Sequence, residues 1–209
     1  MRLLLYGGTF DPPHNGHLNN LRAAAARVQP DQVVVMPAGV PPHKQASATP
    51  AALRLEMCRC FAALEPGVAP QLEVSRWEMD QAAQGRQNYT VLTLEMLARR
   101  WPDAQLYLAM GSDMLLTFDQ WYSWQRILQL AKLVVTSRQL GDDQTLHAKA
   151  KQLDPSGSRI LFAPVEALPM ASSALRARLA AGEDCAAELP PEVRRVIRRE
   201  GLYQQQPRR

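Results

Sequence analysis

Apolar positions fall into two rhythms along the chain. Continuous runs at residues 3–6 (LLLY), 31–36 (DQVVVM), 72–75, 105–110, 132–136 (KLVVT) and 159–163 read as short strands, and the β-branched ones suit a parallel sheet buried on both faces. Between them, apolar residues recur at helical spacing. Residues 18–28 form one such segment; Leu53, Met57, Phe61 and Leu64 mark another, opened by Thr49-Pro50 as N-cap and first helical residue. Thr90 is the expected N-cap of a helix that buries Val91, Leu94 and Leu97 or Ala98 and ends at Trp101-Pro102. Residues 121–130, 174–181 (capped by Ser172-Ser173) and 191–200 (stopped by Gly201) are further helices. Residues 37–49 and 80–88 read as loops, and 204–209 as a frayed end.

Strands alternating with helices predict an α/β fold, a doubly wound parallel sheet with right-handed crossovers. The 209 residues suit one domain, with residues 1–138 as the sheet core and the last third completing it rather than forming a separate domain. At 46% hydrophobic and 21% charged residues, and with no apolar stretch of membrane-spanning length and no signal-peptide pattern, a cytoplasmic protein without membrane association is expected. Three cysteines argue against a disulfide framework, and Cys58 and Cys60 read as packing residues. The net charge of +4 owes much to Arg194, Arg195, Arg198, Arg199, Arg208 and Arg209; without interleaved aromatics apart from Tyr203, this cluster reads as a solvated helix face, and no nucleic-acid partner is expected.

Chemistry concentrates in LLLYGGTFDPPHNGHL, residues 3–18. A buried strand stops at Gly7-Gly8, where a ligand can approach the backbone, and His14 and His17, two of the chain's 4 histidines, stand at the start of the next helix. Strand end, glycines, imidazoles and unpaired helix-terminal N–H groups make an anion site suited to a polyphosphate. The dinucleotide fingerprint GxGxxG is absent, and no Cys or carboxylate cluster completes a zinc site. Gly111-Ser112-Asp113 breaks another strand at its C-terminal edge, where open α/β sheets bind ligands; Asp113 could equally cap the short turn after it.

GGTFDPPHNGHL resembles the GxFxPxHxGH signature of the nucleotidyltransferases related to class I aminoacyl-tRNA synthetases, and among them the bacterial nicotinate mononucleotide adenylyltransferases. PPHK, NYT, GSD, FDQWYSWQRIL and SSALR follow in the family's order. The resemblance implies a Rossmann-like sheet of nucleotidyltransferase type, with Gly7, Gly8, Thr9 and Phe10 around ATP, His14 and His17 on its phosphates, and Lys44 reaching phosphate from the loop after the second strand. It further implies that Gly111 and Asp113 hold the adenosine ribose and that Arg176, with Ser172 and Ser173, holds the outer phosphates. This last segment departs from the family's I-S-[SA]-T-x-I-R, with Ala171 in place of the first Ser and Ser173 in place of Thr. For the acceptor it implies Trp121 stacked on a pyridine ring, backbone N–H groups of Thr90 and Tyr122 on a nicotinate carboxylate, and Arg138 on the mononucleotide phosphate, although R-P-G is here Arg138-Gln139-Leu140-Gly141.

The activity so implied is adenylyl transfer from ATP to nicotinate mononucleotide, with Mg²⁺ carried by ATP rather than by a protein cage. The acceptor could instead be nicotinamide mononucleotide or another phosphomonoester. A non-catalytic nucleotide- or RNA-binding module is the rival from a different class.

Overall fold

The apolar runs form six parallel strands in a computed structural model that describes residues 1–40, 49–64, 67–136, 143–166, 168 and 170–204. They are β1 (Arg2–Gly8), β2 (Gln32–Pro37), β3 (Gln71–Val74), β4 (Gln105–Gly111), β5 (Ala131–Thr136) and β6 (Ile160–Ala163), in the spatial order β3-β2-β1-β4-β5-β6. Leu5 lies between Val34 and Leu108 in this register. The helices are α1 (Asn15–Val28), α2 (Ala51–Cys58), α3 (Cys60–Leu64), α4 (Trp77–Ala83), α5 (Thr90–Arg100), α6 (Ser112–Leu116), α7 (Trp124–Leu130), α8 (Asp143–Leu153), α9 (Ser172–Ala180) and α10 (Pro191–Glu200). None of them is long and apolar enough to cross a membrane.

Side-chain alternation along the strands divides the interior in two. Leu4, Tyr6, Val33, Val35 and Val134 face α1, α2, α3, α9 and α10, meeting Leu21, Met57, Phe61, Leu175, Val193 and Ile197. Leu3, Leu5, Val34, Met36, Leu133 and Val135 face α5, α6, α7 and α8, meeting Val91, Leu94, Leu115, Ile127 and Leu146. Helices from the last third thus pack on the same core as β1. Burial pushes the Cys58 thiol well above its ordinary value and Cys60 up to about 12, which suits both to packing.

Several boundaries differ from the sequence pattern. The helix marked by Leu53 and Phe61 is two, parted at Arg59. Residues 80–88 are not all loop, because Trp77 and Met79 bury an apolar edge and carry α4 through Ala83. Helix α8, which the pattern did not single out, buries Leu146, Ala150 and Leu153 from an otherwise polar segment. Ser123, at φ 53°, separates Trp121 and Tyr122 from α7. Thr90 is the first residue of α5 with Tyr89 as N-cap; Asp113 lies inside α6 behind an N-cap at Gly111; and Ser172 and Ser173 open α9 behind Ala171. In each case the capping residue is extended and the hydroxyl or carboxylate falls one or two positions into the helix.

Gly39 sits where the chain leaving β2 passes under α4. A Cβ there would overlap Asn88 Oδ1, the Glu78 carbonyl oxygen and the Ala82 Cβ, two of which belong to packed helix. Gly39→Ala is expected to lower unfolding stability by about 1–3 kcal/mol, measured by urea denaturation. An unchanged midpoint would show that α4 yields at no cost.

Candidate functional site

The strand order reverses between β1 and β4, the place where an open sheet leaves a crevice at its C-terminal edge. A cavity of about 1140 Å³ occupies it, bounded on one side by the loop after β1 and the starts of α1 and α9, and on the other by α5, α6 and the turn at Trp121.

The loop after β1 is shaped by Phe10. Its ring is fully buried, 5.5 Å from Tyr6, 5.3 Å from Phe61 and 5.1 Å from His17, and its backbone takes φ 49°. A Cβ on Gly8 would come within 2.8 Å of that ring, so the glycine is required by packing. The buried Arg54 guanidinium donates to the carbonyls of Thr9 (2.9 Å) and Ala38 (2.7 Å), tying the turns after β1 and β2 together.

Helix α1 starts earlier than its apolar residues suggested, so His14 is its N-cap and His17 lies in its first turn. The His14 N–H donates to His17 Nδ1 at 3.2 Å, and the rings stack at 3.7 Å. An accepting Nδ1 leaves the proton of His17 on Nε2, a donor for a ligand in the cavity that both histidines line. Gly16 gives the His14 ring its room, since a Cβ there would lie 3.0 Å from His14 Nδ1.

The start of α9 docks on the same loop. Ser172 Oγ donates to the Pro12 carbonyl (3.0 Å) and Arg176 Nη1 to the Asp11 carbonyl (2.7 Å), while the buried Asp11 carboxylate accepts from the Tyr203 hydroxyl at 2.6 Å. Burial and the bond to Asp11 raise the Tyr203 phenol and keep it a donor. At the start of α1 the Asn15 N–H donates to the Glu188 carbonyl (2.8 Å) and the His17 N–H to the His14 carbonyl (2.8 Å), so it is chiefly the start of α9 whose N–H groups converge with the two imidazoles and the guanidinium, an arrangement suited to a polyphosphate.

On the opposite wall the Tyr89 and Tyr122 rings meet at 4.5 Å, bringing the first N–H groups of α5, that of Thr90 among them, beside the Trp121-Tyr122 turn. Trp121 is half-buried against Phe118 and lines the cavity with Asp113. Glu78 lies in this wall: Thr93 Oγ1 donates to its carboxylate at 2.6 Å, and Asn88 Nδ2 donates to its carbonyl at 3.0 Å. Burial raises the Glu78 carboxyl to about 7 against the opposing bond from Thr93, reducing the negative charge facing any anion held at α5.

Gly7, Gly8, Thr9, Phe10, His14, His17, Thr90, Gly111, Asp113, Trp121, Tyr122, Ser173 and Arg176 all line the one cavity, as does Ser172. Lys44 and Arg138 lie outside the described residues. Asp11, Asn20, Glu78, Asn88, Gln120 and Tyr203 also line it, and sequence reasoning did not assign them a role. Asp11 was within reach as part of the opening motif; Tyr203 and Glu78 carry no local signal. Among the described residues no group of three or more His, Cys, Asp or Glu side chains could hold a metal ion.

A sequence model of the cytidylyltransferase-like family matches residues 5–178, and the chain belongs to that family. Its curated relatives include a probable nicotinate-nucleotide adenylyltransferase of Acidithiobacillus ferrooxidans, 38% identical over 97% of this chain and 95% of the relative. A protein of the same name from Neisseria meningitidis serogroup B is 37% identical over 96% of this chain and 97% of its own. Among solved structures, the Plasmodium falciparum nicotinic acid mononucleotide adenylyltransferase complexed with NaAD shares the fold with a TM-score of 0.76 at 16% identity, covering 97% of both chains. A putative nicotinate-nucleotide adenylyltransferase of Vibrio parahaemolyticus superposes with a TM-score of 0.65 at 19% identity over 99% of this chain and 98% of its own.

The raised Glu78 carboxyl has a sign that can be checked. It binds more proton folded than unfolded between its ordinary value, near 4.5, and about 7, so it lowers stability progressively as pH rises through that window. Glu78→Gln retains an acceptor for Thr93 and is expected to be more stable than the parent by up to about 3 kcal/mol at pH 8, with little gain at pH 4.5. Thermal melts across this range that keep one constant offset would exclude the burial effect.

Proposed function

We infer that the protein transfers the adenylyl group of ATP to nicotinate mononucleotide, forming deamido-NAD and releasing pyrophosphate. The observation that carries this reading is the meeting, in one cavity, of a wall of imidazole, guanidinium and helix-terminal N–H donors with a wall of indole and helix-terminal N–H groups. Curated relatives of matching length that are named for this reaction support it.

The acceptor's 5′-phosphate, with a second pKa of about 6, is largely a dianion near pH 7 and needs no general base. One of its oxygens attacks the α-phosphorus in line. The new O–P bond forms as the bond to the bridging oxygen breaks, and pyrophosphate leaves with the electron pair. His17 donates through Nε2 to the phosphates with His14 beside it, and Arg176 with the start of α9, including Ser172 and Ser173, holds the leaving group. Gly7, Gly8, Thr9 and Phe10 border the donor, and Gly111 and Asp113 its ribose. Lys44 and Arg138 keep the phosphate roles that the family resemblance implies. Mg²⁺ is carried on the triphosphate and water, where it offsets phosphate charge; the cavity's cationic and N–H donors fit a ligand that brings its own metal.

Trp121 stacks on the pyridine ring, and the N–H groups of Thr90 and Tyr122 receive the carboxylate. An amide would turn its own NH₂ toward such donors, which favours nicotinate over nicotinamide. The α10 arginines support this reading over RNA binding, because Arg199 pairs with Glu56 and Arg194 with Asp184. Residues 1–209 are taken as one nucleotidyltransferase unit, acting on cytoplasmic solutes in the cytoplasm.

The direct test follows pyrophosphate release from ATP and Mg²⁺ with nicotinate mononucleotide, nicotinamide mononucleotide or phosphopantetheine. Release with the first above the others is expected; no release with any, beside salt-sensitive RNA binding, would reject an enzyme. His17→Ala is expected to lower kcat by about 10²–10³-fold with acceptor binding nearly intact. Equal loss of both would make the histidine structural. Trp121→Ala is expected to weaken acceptor binding about tenfold or more while ATP affinity holds, and the reverse pattern would refute stacking.

A further inference from the structure

Asn20 is a polar residue in an apolar place. Only 8% of it is exposed, it lines the cavity, and among the described residues its carboxamide has no hydrogen-bond partner. Its polar atoms are not among the fully enclosed unpartnered ones, so what little surface the residue keeps is available to a ligand in the cavity it lines.

Its place in the fold assigns it to the donor side. Asn20 stands one turn along α1 from His17 on the same helical face. That side of α1 packs under β4, β5 and β6 and is tied there by Asn19 Nδ2 to the Glu166 carbonyl (2.7 Å) and Arg27 Nε to the Phe162 carbonyl (3.2 Å). Thr90 and Trp121 stand on elements of the other face of the sheet. The phosphates are held at the start of α1, so a group one turn further in meets the nucleoside. The histidines and Arg176 meet the phosphates as donors, whereas a carboxamide presents a donor and an acceptor side by side. Against phosphate its oxygen would oppose an anion; against the edge of adenine both of its atoms are matched.

We propose that Asn20 reads the adenine of ATP, its Oδ1 accepting from the N6 amino group and its Nδ2–H donating to N7, and so selects ATP over GTP. On the same edge guanine presents two acceptors, O6 and N7, so either orientation of the carboxamide sets Oδ1 against an acceptor. This rests on ATP being the adenylyl donor.

The experiment compares Asn20→Ala with the parent in turnover and in equilibrium binding of ATP and GTP, with a thermal melt confirming the fold. Expected is a rise of about tenfold in the KM and Kd for ATP, a similar fall in the ATP-to-GTP preference, and kcat and acceptor KM close to the parent's. Asn20→Ser, smaller in its change, replaces Asn20→Ala if the latter does not fold and is read by the same preference ratio. Unchanged ATP affinity, an equal loss for ATP and GTP, or an effect confined to the acceptor would each overturn the assignment. A parent protein that binds ATP but releases no pyrophosphate would reject the proposed reaction instead, and the binding ratio would still decide the role of Asn20.

Discussion

Burial of one side chain, Phe10, holds the donor half of the cavity in shape. Its left-handed backbone costs about 1–3 kcal/mol, an amount that full burial of an aromatic ring, about 1.5–3 kcal/mol, can offset. With the ring seated between Tyr6, Phe61 and His17, the chain on either side has little choice. Gly8 must remain without a side chain, Thr9 turns its carbonyl to Arg54, and Asp11 meets Tyr203 through its buried carboxylate and Arg176 through its carbonyl. The imidazoles of α1 are aimed by the same packing.

The two walls of the cavity are supported by different layers of the molecule. Helices α1, α9 and α10 share the core that contains Leu4 and Phe61, and the starts of the first two carry the imidazoles and the guanidinium assigned to the phosphates. Helices α5 and α7, with the turn at Trp121, share the core that contains Leu5 and Phe118, and they carry the groups assigned to the acceptor. The sheet between them is buried on both faces, so it holds the walls at a fixed separation. In-line transfer between two anionic substrates depends on this fixed distance more than on any single acid or base.

Much of this was legible from the chain. Apolar runs located the strands because a parallel sheet covered on both faces leaves its strands no polar side. The opening motif and its later partners named residues that the fold brings to one cavity, since strand ends and helix starts at the switch point are where ligands of such sheets lie. Legibility failed where tertiary contact overrides local pattern. Helix α4 is polar in composition yet held by Trp77 and Met79, and α8 is held by three residues spread through a charged segment. Asn20 was unremarkable in sequence, because its significance comes from burial beside a cavity. Tyr203 was equally silent, because its partner lies 192 residues away.

That separation has a thermodynamic consequence. The donor wall is stitched between the beginning and the end of the fold, Arg176 to Asp11 across 165 residues and Tyr203 to Asp11 across 192. No locally folded fragment can reproduce it, so a nucleotide seated there is a ligand of the native state alone. Its binding energy therefore adds to the cooperative unfolding free energy of the whole chain, by about 2.7 kcal/mol at a hundredfold excess over Kd, and the filled site resists unfolding as one unit with the core beneath it.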